Sequence, residues 1–164
     1  MRKKHDLIFY SDASDNSVGI IDNFGSKYLF LIQKIGSTQL ELHGVYLALK
    51  IAGMCYGVKN INSITVFTDA KSVINLIERS WSLVPEIDKV LSRISYRIRL
   101  FKNNRIDFYL KYIPRNNNPA DNICSGREVA EFSWNIFKEK EQQKRIKRKL
   151  KPIIHAQALY SFKP

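Results

Sequence analysis

Four acidic residues stand where a chain could gather them into one site. Asp12 follows an apolar run, Glu41 opens a helical repeat, Asp69 ends a β-branched run and Asp121 follows a Pro/Asn-rich break. Each has an ordinary use. Thr38-x-x-Glu41 has the form of a capping box, Asp69 and Asp121 suit helix caps, and Asp12 or its neighbour Asp15 suits a turn. As a set they suggest something else. Two unit charges about 4 Å apart repel by roughly 4 kcal/mol at an effective dielectric of about 20. Four carboxylates in one pocket therefore destabilise a fold unless a cation sits among them. Hard oxygen ligands with no Cys or His set nearby select Mg²⁺ or Mn²⁺. Two such ions about 3.5–4 Å apart can activate a water and stabilise the leaving oxygen of an in-line phosphoryl displacement. The expected site is Asp12, Glu41, Asp69 and Asp121 around two divalent ions.

Such a site needs elements that end in one place. The sequence predicts strands over 7–10 and 17–21 with a polar turn over 11–16 between them, and a third strand over 28–35 (YLFLIQKI). From Leu40 to Cys55 apolar residues recur at helical spacing, with Gly57 as the stop. Residues 64–69 (ITVFTD) read as a buried strand and 70–79 as a short helix. A longer helix opens at Pro85 with a stripe of Ile87, Val90, Leu91, Ile94, Ile98 and Phe101. Ile106, Phe108, Leu110 and Tyr112 alternate along a last strand, 114–119 (PRNNNP) is loop, and the chain beyond Gly126 reads as helix again. This order makes an α/β fold, a mixed sheet flanked by helices. Strand ends and helix starts then converge where α/β ligand sites form.

Composition narrows the partners. The 164 residues are the size of one domain, and Lys+Arg 27 against Asp+Glu 15 leaves a net charge of +12. That excess favours a polyanion, nucleic acid first and an anionic membrane surface second. The first apolar run is too short for a signal-peptide core, and no stretch approaches the roughly 18 apolar residues of a membrane span. Cys55 and Cys124 lack metal-type spacing and read as reduced, buried thiols of an intracellular protein. Lys89, Arg93 and Arg97 lie opposite the apolar stripe of the Pro85 helix, either as a solvated face or as a phosphate track for a DNA strand. Residues 1–137 read as the domain and 138–164 as a basic C-terminal extension. The run from Lys138 to Lys151, with Lys144, Arg145, Lys147 and Arg148 at its heart, supplies half of the net charge. Its apolar face is only Ile146 and Leu150, which favours nucleic acid over a membrane.

YSDAS around Asp12, TQLELHGVYLAL around Glu41, VFTDAKSV around Asp69 and YIPRNNNPAD ending at Asp121 resemble, in order, the four catalytic blocks of the ribonuclease H family. The resemblance spans roughly residues 7–127. It implies a five-stranded mixed sheet of order 3-2-1-4-5 with flanking helices. It also implies an endoribonuclease that cuts the RNA strand of RNA–DNA hybrids with two Mg²⁺ or Mn²⁺ ions. Asp12, Glu41, Asp69 and Asp121 match the family's metal-binding carboxylates, and Glu41 and Asp69 would also orient the attacking water and ligate its metal. Thr38 and Gln39 fall where the family often has polar residues that touch RNA. SDASDNSVG, and NPAD followed by Ser125, Gly126 and Arg127, look more like the domains of reverse-transcribing viruses and retrotransposons than the cellular enzyme. A reverse transcriptase or replication partner is consistent with that. There are no polymerase motifs, and the starting Met favours a free-standing chain.

Two departures bear on turnover. Many family members place a His in the loop before the last carboxylate. Here that loop is Arg115, Asn116, Asn117 and Asn118, with Arg115 available for phosphate, while His5, His43 and His155 read as surface or packing residues. Between Arg79 and Pro85, where some relatives insert a basic protrusion, there is only SWSLV, with Trp81 expected to pack on the core. Two rivals remain open: a DNA nuclease, resolvase or strand-transfer enzyme of the same fold, and a non-catalytic nucleic-acid-binding relative. YSDAS, in place of an IDxG-type opening, argues against the resolvase. All four carboxylates being present argues against the non-catalytic form.

Overall fold

The computed structural model describes residues 4–135. A six-stranded sheet organises them in the order β5-β4-β1-β2-β3-β6. β1 (His5–Ser14), β2 (Ser17–Asp22) and β3 (Lys27–Leu31) form an antiparallel meander. β4 (Ile61–Thr68) joins β1 in parallel, β5 (Asp107–Tyr112) joins β4, and β6 (Phe132–Asn135) joins β3. The expected order 3-2-1-4-5 is the core of this sheet, and β6 extends the edge beyond β3.

Alternation builds the layers. Leu7, Phe9, Val18, Ile20, Tyr28, Phe30, Ile64 and Val66 are all buried, as strand residues facing one side of a covered sheet must be. α1 (Ser37–Ile51) crosses β1, β2 and β4 on that side and is buried nearly all round. α3 (Pro85–Asn103) packs on α1 and β5 through Val90, Leu91, Ile94 and Phe101, the expected stripe. α2 (Lys71–Arg79) sits against β5, α1 and α3, and the single turn α4 (Asp121–Cys124) lies against β1, β2 and β3. No helix among the described residues is long and apolar enough to cross a membrane.

Several boundaries differ from expectation for identifiable reasons. Residues 11–14 continue β1, with Asp12 opposite Gly19. The reversal is confined to Asp15 and Asn16, and Asp15 takes a left-handed φ of 52° that Asp tolerates. β3 stops at Leu31 rather than Ile35 because its partner runs out. Leu31 pairs with Ser17, the first residue of β2, and the Ile32 N–H donates to Asn16 O at 2.7 Å. The Thr38–Glu41 capping box does not form: Gly36 is the N-cap, without a side-chain cap bond. The helical pattern does reach Tyr56, but its last turn, Ala52–Tyr56, is π-helical, and Gly57 (φ 68°) ends it.

Between Gly126 and Asn135 β6 stands where a helix was expected, and the rest of that expected helix lies outside the described residues. α4 is a single turn, and Gly126 (φ 72°) follows it. Phe132 and Trp134 then stack on Tyr28 and Phe30 with ring centroids 5.2 and 4.7 Å apart. Aromatic burial at period two outweighs helix propensity here. Trp81, expected in the core, is 53% exposed with the Arg79 guanidinium 5.5 Å from its ring centroid. Val73, Leu76 and Ile77 already fill the core side of α2. The basic extension 138–164, with Lys144, Arg145, Lys147 and Arg148, lies outside the described residues.

Candidate active site

The parallel pairing of β1 with β4 sends both strands toward the same end of the sheet, and three carboxylates meet there. Asp12 lies near the end of β1, Asp69 directly follows β4, and Glu41 lies near the start of α1. One oxygen from each lies within 4.8 Å of the others. α1 approaches closely because Gly44, on the Glu41 side of the helix, has no Cβ. One added there would stand 3.3 Å from Ser11 Cβ and Oγ.

Burial makes this cluster costly. Asp12 is 2% exposed. Asp12 Oδ2, Glu41 Oε2 and Ser11 Oγ are buried with no hydrogen-bond partner among the described residues. Loss of solvent, then the charges of Asp69 and Asp121, pushes the Asp12 carboxyl up to about 6. Loss of solvent, then Asp12 and Asp69, pushes Glu41 up to about 8. Buried anionic oxygens without partners are strongly unfavourable unless a cation or proton satisfies them. Oxygens that share one Mg²⁺ stand at most about 4.2 Å apart, so small side-chain shifts bring these three onto an ion. The donor set is oxygen only, which fits Mg²⁺ or Mn²⁺. None of the three carboxylates caps a helix: no side-chain cap bond forms at α1, α2 or α4.

Asp121 stands beside this cluster. α4 is pinned to the sheet by Cys124, whose Sγ accepts from Gly19 N–H at 2.9 Å and donates to Asp12 O at 3.1 Å. The preceding loop is pinned by the buried Asn118, whose Nδ2 donates to Ser11 O at 2.9 Å. Gly19 permits this closeness, since a Cβ there would meet Ala120 O and Cys124 Sγ at 2.9 Å. Asp121 is thereby brought near enough to raise the Asp12 carboxyl, yet its own oxygens are engaged elsewhere. Oδ1 accepts from Arg115 Nε and Nη2 at 3.3 and 3.2 Å, and Oδ2 accepts from Arg127 Nη2. The structure thus gathers Asp12, Glu41 and Asp69, with Asp121 adjacent between two guanidiniums.

The other expected contact residues divide. Thr38 and Gln39 are half-buried at the start of α1, three and two residues before Glu41. Lys89 and Arg93 are exposed on α3. Arg97 is half-buried with its guanidinium 5.3 Å over the Tyr46 ring, so it packs on α1. Arg115 sits at the carboxylates. Sequence reasoning assigned no role to Ser11, Asn118, Cys124 or Arg127. Arg127 carried a faint signal: it and Arg115 each lie six residues from Asp121, a symmetry that matters only once the loop curls. Cys55 and Cys124 are free thiols, half-buried, and burial pushes each up to about 12.

No family profile matches the chain, and no curated protein sequence is similar to it. Solved structures are. The N-terminal RNase H domain of a Mycobacterium tuberculosis protein, determined as a fusion with maltose-binding protein, aligns with a TM-score of 0.58 at 16% identity, over 74% of this chain and 94% of that one. RNase H1 from the archaeon Halobacterium salinarum aligns at 0.56 and 18%, over 75% and 98%. LC11-RNase H1 in complex with an RNA/DNA hybrid aligns at 0.59 and 15%, over 72% and 91%. The chain has the ribonuclease H fold.

Proposed function

We propose that this chain is a ribonuclease H, an endoribonuclease that hydrolyses the RNA strand of RNA–DNA hybrids with two divalent cations. One observation carries the reading. In a ribonuclease H fold, Asp12, Glu41 and Asp69 meet at the ends of β1 and β4 and the start of α1, with Asp12 Oδ2 and Glu41 Oε2 buried and without a hydrogen-bond partner among the described residues. Two Mg²⁺ or Mn²⁺ ions, when bound, would polarise the scissile phosphate and acidify the attacking water.

The side chains supply position and charge. Asp12, buried on β1, holds its carboxylate within reach of the other two. Glu41 and Asp69 hold theirs toward the attacking water and orient it, and Asp121 completes the set from α4. Thr38 and Gln39, in the first turn of α1 ahead of Glu41, contact the RNA strand, while the exposed Lys89 and Arg93 meet phosphates of the DNA strand. An acidic site on a chain of net charge +12 suits this work, since the body attracts the polyanion and the cations neutralise the phosphate to be cut. A fold neighbour, LC11-RNase H1, is described in complex with an RNA/DNA hybrid. Hybrids arise where RNA primes or templates DNA synthesis, so a reverse transcriptase or replicative polymerase is the fitting class of partner. The extension 138–164 adds affinity for the duplex to a catalytic domain over 1–137.

The test is a panel of matched RNA–DNA, RNA–RNA and DNA–DNA duplexes with each strand labelled in turn. In Mg²⁺, only the RNA strand of the hybrid should be cut. Cleavage of the DNA–DNA duplex at a comparable rate would replace this reading with a DNA nuclease of the same fold.

A further inference from the structure

Asp121 is half-buried and held from both sides by arginines that are mostly exposed. The side chains of Arg115 and Arg127 are 67% and 61% exposed, against 16% for Asp121. Arg115 commits Nε and Nη2 to Asp121, and Arg127 commits Nη2 to Asp121 and Nε to Ser125 Oγ at 2.8 Å. Each guanidinium carries five donors, so both keep donors directed to solvent. They open on a polar cleft of about 670 Å³ lined also by Asn116, Asn117 and Asn122.

We infer that Arg115 and Arg127 form an anion clamp that holds Asp121 in reserve and exchanges it for a substrate phosphate. The inference rests on the ribonuclease H reading above and adds a substrate-coupled step to it. Guanidinium binds carboxylate and phosphate with the same fork geometry. A phosphodiester entering the cleft gives both arginines another acceptor, and the Asp121 carboxylate then becomes available as a cation ligand beside Asp12. Without substrate, the three-carboxylate cluster is the principal cation site and Asp121 is neutralised by its arginines. Arrival of the phosphate thereby assembles the full ligand set. Arg115 thereby couples phosphate binding to the fourth carboxylate.

The test counts bound Mn²⁺ on the full chain by electron paramagnetic resonance, first without any nucleic acid. Arg115→Gln/Arg127→Gln should bind a second Mn²⁺ about tenfold more tightly than the unmutated chain, a factor equivalent to about 1.4 kcal/mol. Adding Asp121→Asn should erase that gain. An unchanged second site in a double variant with a normal melting curve overturns the clamp. The unmutated chain provides an arm free of folding effects: a 2′-O-methyl RNA–DNA duplex, with binding verified by fluorescence anisotropy, should tighten the second Mn²⁺ similarly. A bound duplex that leaves the second site unchanged also overturns it. Failure of that duplex to bind counts against the hybrid reading, while the nucleic-acid-free count still decides the clamp.

Discussion

At the scale of single residues, the candidate site is a set of acids kept where water is scarce. Asp12 and Glu41 hold protons more tightly in the folded chain than their ordinary values of 3.8 and 4.5 allow in the unfolded one. Folding therefore takes up protons between those values and about 6 and 8. Stability contributed by these groups is greatest at low pH and is lost as pH rises through that window. The metal-free chain should melt progressively lower from about pH 4 to about pH 8 on their account. Cations compete with those protons, so the gain in melting temperature from saturating Mg²⁺ should grow over the same range. A gain that shrinks as pH rises would contradict cation binding at Asp12 and Glu41. Asp12→Asn should raise the metal-free melting temperature by a few degrees, about 1 kcal/mol, because it removes a buried charge. The gathering of Asp12, Glu41 and Asp69 was readable from residue type and placement. The position of Asp121, beside them and held by two arginines, was not, because it depends on Arg127 curling back across α4.

At the scale of elements, the site depends on close approaches that glycine permits. In Gly44→Ala, the new methyl would press on Ser11 at 3.3 Å. Overpacking of about 1–3 kcal/mol is partly offset by about 1 kcal/mol of helix propensity. The expected result is a small loss of stability with a larger loss of the Mg²⁺-dependent melting shift, since α1 carries Glu41 away from Asp12. Equal Mg²⁺ shifts in the variant and the unmutated chain would show that α1 tolerates the methyl in place. Gly19→Ala should destabilise by about 1–3 kcal/mol, because the contacts at 2.9 Å include the backbone oxygen of Ala120; chemical denaturation measures this. Strongly periodic elements were readable from sequence, above all α3 and the core strands. Those set by tertiary partners were not. β3 ends where β2 begins, and β6 exists because Phe132 and Trp134 find Tyr28 and Phe30, a pairing visible only once the sheet edge is built. The F-S-W alternation over 132–134 was the available signal.

At the scale of the whole molecule, the excess of positive charge and the acidic cluster belong to different stretches of the sequence. The acidic cluster sits at one end of the sheet, while half of the net charge lies in residues 138–151 of the sequence. Truncation after Phe137 should leave the carboxylate site working but flatten the salt dependence of hybrid binding by roughly 2–4 in log–log slope, at about 0.9 per lost phosphate contact. An unchanged slope with a lowered melting temperature would assign the extension to packing. In the proposed function, divalent cations held by these carboxylates drive cleavage of a hybrid's RNA strand. The most direct test of this reading is the hybrid cleavage rate of the unmutated chain and of Asp69→Asn, side by side, in Mg²⁺, in Mn²⁺ and in excess chelator. The expected result is RNA-strand cleavage by the unmutated chain with either ion, none in chelator, and none by Asp69→Asn, whose melting temperature matches or exceeds that of the unmutated chain. Full cleavage in chelator, or undiminished cleavage by Asp69→Asn, would contradict it.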